Sequence, residues 1–173
     1  NGMLYHLAAF AEGGSGGNPA GVWVGDELPD ALTMQRIAAD VGASETAFVA
    51  PARGSRRTIR YFSPEIEVTF CGHATIATGI VLGHNDGLGT FVLETPVGDV
   101  PLTAEMRDGR MHASLRSVAT RQAPIADIDL SAALACLGWS RADLDATLPP
   151  VKAWAGAWHY VIAVAGKNTL ANL

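Results

Sequence analysis

The stretch from Gly72 to Gly83 constrains this chain more than any other part of it. Ala74, Ile76, Ala77, Ile80, Val81 and Leu82 fall around nearly the whole circumference of a helix rather than along one stripe. A helix with a single apolar stripe can lie on a surface, whereas one that is apolar all round has to be enclosed. β-prone pieces flank it on both sides: Thr46 to Ala50 and Thr58 to Phe62 before it, Gly89 to Glu94, Gly98 to Met106 and Met111 to Leu115 after it. Pro96-Val97-Gly98 and Asp108-Gly109 supply the turns between the later pieces. An enclosed helix with strands before and after it predicts an α+β fold, a sheet curled barrel-like around one central helix.

Upstream, Leu4 to Ala11 and Ala20 to Val24 read as strands joined by the glycine-rich Gly13 to Gly17. Met34, Ile37, Ala38 and Val41 then keep helical spacing, with Asp30 as N-cap and Gly42 just past the end. Downstream, Arg116 to Asp129 is polar, contains Pro124 and reads as a linker, which divides the chain into residues 1–117 and 118–173. In the second part Leu130 to Leu137 reads as a helix stopped by Gly138, and Arg141 to Leu144 adds a turn. Trp158 to Ala165 reads as a strand, and Thr169 to Leu173 as the first turn of a helix. The second part therefore reads as an incomplete unit.

Composition narrows the function classes. Of 173 residues, 49% are hydrophobic and 17% charged, a balance that buries a core rather than staying disordered. Twelve Lys and Arg against 17 Asp and Glu give a net charge of -5, and no basic run exceeds Arg56-Arg57, which argues against nucleic acid and anionic membrane as partners. Apolar runs such as Tyr160 to Ala165 are far shorter than the roughly 20 residues of a spanning helix. Cys71 and Cys136 are too few for a disulfide framework and lack CxxC or Cys/His spacing. His6, His84, His112 and His159 show no ligand spacing either, so no metal is expected. Asn1-Gly2 reads as a short addition ahead of the initiator Met3, and with no leader pattern the expected compartment is the cytoplasm.

Three patches carry side chains suited to chemistry. In Gly17-Asn18-Pro19-Ala20-Gly21, Asn18 offers an amide to a ligand, although Asn-Pro between glycines also makes an ordinary turn. In Ser44-Glu45-Thr46-Ala47-Phe48, a carboxylate sits where a loop enters an apolar strand, and partial desolvation there would favour proton transfer near neutral pH. The alternative for Ser44 and Glu45 is an exposed loop or a helix cap. In Phe70-Cys71-Gly72-His73-Ala74-Thr75, the free amides and positive dipole end of the enclosed helix suit a carboxylate, and Gly72 admits close approach. His73 could bind a ligand or carry a proton, and Cys71 could be an acid/base thiol; structural roles are open to both. The Gly13 to Gly17 stretch lacks the Lys-Ser/Thr ending of a phosphate loop.

Together, the GNPAGV ending of Phe10 to Val22, SETAF at Ser44 to Phe48, and IRYFSP, EV and CGHATIATG from Ile59 to Gly79 resemble the phenazine-biosynthesis PhzF-like family of isomerases. The resemblance covers almost all of the first 80 residues and continues more loosely to the end. It implies a fold similar to diaminopimelate epimerase, two pseudo-symmetric domains with the active site in the cleft between them. Against that pattern the second copy reads as incomplete. It implies that Glu45 is the acid/base carboxylate of a cofactor-independent isomerase acting on a small carboxylate-bearing molecule. Gly72, His73 and Ala74 match the ligand-contacting helix start, and Asn18, Ser44 and Cys71 match positions lining the same cleft. Cys71 also falls where related racemases and epimerases keep one of two catalytic cysteines, while Cys136 lies in no matching motif. Two other readings stay open: a racemase or epimerase that uses Cys71, and a truncated non-catalytic structural or oligomerising module. A homodimer, or a second chain completing the C-terminal domain, is the expected partner.

Overall fold

The structure, a computed structural model, describes residues 1–173. The chain forms two compact units, Asn1–Val118 and Ala119–Leu173.

The first unit is built on strands β1 (Gly2–Ala9), β2 (Asn18–Gly25), β3 (Glu45–Val49), β4 (Arg56–Phe62), β5 (Glu67–Val68), β6 (Gly89–Thr95), β7 (Gly98–Arg107) and β8 (Arg110–Leu115). Helix α1 (Ala31–Val41) joins β2 to β3, and helix α2 (Gly72–Asp86) lies between β5 and β6. The sheet runs in the order β1-β2-β3-β4-β6-β7-β8, with β5 paired to β4. Two pairings are parallel, β2 with β3 across α1 and β4 with β6 across α2. The remaining pairings are antiparallel.

Strand alternation assigns the two faces. Register places Ala20 and Val22 beside Ala47, Val49, Ile59 and Tyr61, and on through Leu93, Val100 and Leu102. These residues are buried together with Ala74, Ala77, Val81 and Leu82 of α2. The opposite face carries Trp23, Phe48 and Phe62, which bury Met34 and Ala38 of α1. Both end strands of the sheet, β1 and β8, pack on α2. A sheet whose two ends meet the same helix has curled into a half-barrel around it, the enclosure that the all-round apolar pattern demands.

Local chemistry sets the helix ends. The Asp30 carboxylate accepts from the Thr33 amide at 2.9 Å, and Gly42 ends α1 at φ 67°, a conformation that glycine adopts without strain. In α2, Gly79 and Gly83 let β7 and β8 approach closely: a Cβ on Gly79 would stand 2.6 Å from that of Ala113. Arg57, almost wholly buried, pairs with Asp86 at 2.5 Å and donates to the Ala50 carbonyl, tying the end of α2 to β4.

The second unit contains β9 (Arg121–Pro124), α3 (Asp127–Leu137), a 3₁₀ turn (Arg141–Asp143), β10 (Val151–Trp154), β11 (Trp158–Val161) and α4 (Lys167–Ala171). Its sheet has the order β11-β10-β9. Several expectations need correction here. Arg116 to Asp129 is not all linker, because Arg121–Pro124 pairs antiparallel with β10 and α3 begins at Asp127. The strand expected from Trp158 to Ala165 ends at Val161, leaving only an isolated bridge from Val164 to Leu144. Upstream, β1 ends at Ala9, and Phe10 turns the chain at φ 61°. No helix is long and apolar enough to cross a membrane.

Candidate active site

Three segments far apart in sequence converge at the start of α2. Asn18 opens β2, so the alternative of an ordinary turn at Asn18-Pro19 does not hold. Glu45 opens β3 beside Ala20 and shares the inner face with Ala47 and Val49; it is neither a loop residue nor a cap. Cys71 is the N-cap of α2 in extended conformation and makes no side-chain capping hydrogen bond of its own. The α2 start is held by an internal chain of hydroxyls. Thr75 Oγ1 donates to the Cys71 carbonyl at 2.7 Å, so the buried Tyr61 hydroxyl, also at 2.7 Å, donates to Thr75. Burial raises the Tyr61 pKa further and keeps that proton in place.

His73 is the hub of the cluster. Its Nε2 lies 3.5 Å from Glu45 Oε2, 3.3 Å from the Pro19 carbonyl and 3.2 Å from Ser44 Oγ, which itself reaches Asn18 Oδ1 at 3.5 Å. The Pro19 carbonyl can only accept, so Nε2 carries the proton in the neutral ring. Nδ1 is then the bare nitrogen, and it faces Cys71 Sγ at 3.2 Å as an acceptor for the thiol. Side-chain exposure is 11% for His73 and 23% for Glu45, while Cys71 is buried. Burial pushes the Cys71 thiol up to about 12, offset only in part by the Ala74 and His73 amides near it, with Glu45 adding to the rise. At neutral pH Cys71 is a protonated thiol, able to donate a proton but not to abstract one.

All seven residues singled out from the sequence, Asn18, Ser44, Glu45, Cys71, Gly72, His73 and Ala74, gather on this one corner of the first unit. A Cβ placed on Gly72 would meet nothing within 4 Å, so open space adjoins the first residue of the helix. A separate groove of about 380 Å³, lined by Leu7, Ile76, Ile80 and Met111 among others, contains none of the seven. Sequence reading missed the Pro19 carbonyl and the Tyr61–Thr75 pair. Pro19 stood in the GNPAG patch, and Tyr61 in IRYF, but only the fold aims them at Cys71 and His73.

The family model for PhzC-PhzF, phenazine biosynthesis-like protein, matches residues 7–173. The chain belongs to this family. It is 32% identical over 158 residues to the uncharacterized isomerase YfhB of Bacillus subtilis, covering 89% of this chain and 53% of the relative. It is 36% identical over 108 residues to the trans-2,3-dihydro-3-hydroxyanthranilate isomerase of Pseudomonas aeruginosa, covering 62% of this chain and 39% of that enzyme. The crystal structure of a PhzF-family phenazine biosynthesis protein from Bacillus anthracis superimposes with a TM-score of 0.80 at 28% identity, over 98% of this chain and 58% of that one. The half-barrel around α2 is thus the PhzF and diaminopimelate epimerase-like fold. This family member spans about half the length of the curated relative YfhB.

Proposed function

We propose that this chain carries one wall of a cofactor-independent isomerase site in which Glu45 is the general acid/base. The observation that carries the reading is Glu45 Oε2 at 3.5 Å from His73 Nε2, at the start of α2 where open space adjoins Gly72. A carboxylate of the substrate sits on the amides of Gly72, His73 and Ala74, where the helix dipole favours an anion by about 0.3–2 kcal/mol. Asn18 and Ser44 hold polar groups beside it, and Glu45 moves a proton between carbons. The His73 ring, anchored through Nε2–H on the Pro19 carbonyl, packs beside the Glu45 carboxylate and limits where it can turn. The relatives' isomerase names, one of them for trans-2,3-dihydro-3-hydroxyanthranilate, support a small carboxylate-bearing substrate of that kind.

The alternative with Cys71 as the base is weaker, because a thiol pushed to about 12 keeps its proton at neutral pH. A reducing cytoplasm suits two free thiols. A second copy, or a second polypeptide, would cover the half-exposed Trp158, Tyr160 and Val161 of β11. The test is incubation with small carboxylates in deuterated water, trans-2,3-dihydro-3-hydroxyanthranilate among them, read by mass spectrometry. Deuterium uptake at carbon supports proton transfer; its absence across substrates that bind would remove the reading.

A further inference from the structure

Glu45, Cys71 and His73 form the one place in the chain where three potential metal-ligating side chains converge, their donor atoms all within 4.8 Å of one another. We propose that these three residues bind a borderline-soft divalent cation of the Zn²⁺ class, leaving a fourth coordination position open, and that the bound ion silences the site by taking its proton-carrying groups.

The donor set is one thiolate, one imidazole and one carboxylate, types that zinc accepts together. With bonds of about 2.0–2.3 Å, the ligands of a tetrahedral ion stand roughly 3.3–3.8 Å apart. Cys71 Sγ and His73 Nδ1, at 3.2 Å, are close to that already, and the partly exposed Glu45 carboxylate, with its donor atom within 4.8 Å of the other two residues' donors, supplies the third corner by side-chain rotation. The ring is oriented for it. With Nε2–H directed to the Pro19 carbonyl at 3.3 Å, the lone pair of Nδ1 points toward Cys71, and ligating histidines commonly donate their other N–H to a carbonyl in this way. The ion displaces the thiol proton, since a coordinated thiol ionises outright. Two positive charges then meet one thiolate and one carboxylate, so no net charge is set against the positive end of α2.

Metal binding itself does not depend on the proposed isomerase activity; only its inhibitory consequence rests on that reading. The experiment therefore reads the ion, not turnover. Chelator-treated protein carrying Cys136→Ser, which removes the exposed thiol on α3, is titrated with Co²⁺ as a spectroscopic probe and then with Zn²⁺. The expected result is one equivalent of Co²⁺ with a thiolate-to-cobalt charge-transfer band, displaced by Zn²⁺. That band should vanish in Cys71→Ser, and Glu45→Gln and His73→Ala should each bind about tenfold more weakly or worse. Circular dichroism checks that each variant stays folded. No saturable binding, no charge-transfer band, or a band unchanged in Cys71→Ser overturns the proposal. A chain that binds the ion yet never exchanges substrate protons would leave the metal site standing and sink the isomerase reading.

Discussion

Cys71 and Cys136 are the same thiol in opposite surroundings, one buried at the start of α2 and the other exposed on α3. The thiolate is the reactive form, so burial decides reactivity. With iodoacetamide at pH 7.5, native protein should label quickly at Cys136 and only very slowly at Cys71, while urea-unfolded protein labels at both. Equal native rates would mean that Cys71 is not desolvated. The raised thiol pKa also fixes the sign of a pH effect. Above about pH 9 the unfolded chain loses this proton while the folded chain keeps it up to about 12, so stability falls across that window. Urea midpoints should therefore fall less steeply with pH in Cys71→Ala than in the parent, the difference being at most about 1.4 kcal/mol per pH unit.

At the scale of elements, α2 is positioned by what its residues lack as much as by what they bury. Alanine is a better helix former than glycine by about 1 kcal/mol. At Gly79, however, the added Cβ would meet Ala113 Cβ at 2.6 Å and Leu102 Cδ1 at 2.9 Å in a packed interior, and overpacking costs about 1–3 kcal/mol. Gly79→Ala should thus lower stability in urea denaturation despite its propensity; a higher midpoint would show that β7 and β8 sit further off. Tyr61→Phe removes the donor to Thr75 and should cost about 1 kcal/mol, with Thr75 still bonded to the Cys71 carbonyl. The central helix was legible in sequence because its apolar residues leave no polar face, and α1 because Asp30 and Gly42 bracket a clear period. Strands β9 and β10 were not. Four residues such as Arg121–Pro124, with a charge and a proline and little burial, carry no alternation that separates a strand from a linker. The contact that ties these strands together is equally invisible in sequence: the Arg121 guanidinium lies over the rings of Trp154 and Trp158, at 4.2 and 5.7 Å.

At the scale of the molecule, the site is a product of topology. Asn18, Glu45 and His73 are separated by 27 and 28 residues, and no local pattern in the sequence places them together. The resemblance to the PhzF-like family named them, and the parallel pairing of β2 with β3, both packed against α2, supplies the reason they meet. The second unit leaves Trp158, Tyr160, Val161, Leu170 and Leu173 about half exposed or more. Apolar surface of that kind draws partners, so sedimentation of the purified chain should report an assembly heavier than the 18.0 kDa monomer. A single monomeric boundary over a tenfold range of concentration would count against it. The central claim is narrower, that Glu45 moves the proton while the helix start holds the carboxylate. It is tested most directly by solvent-deuterium exchange into a bound carboxylate substrate, comparing the parent with Glu45→Gln. The account predicts a fall of about 10²-fold or more in exchange rate with substrate affinity nearly unchanged; exchange at the parent rate in Glu45→Gln would contradict it.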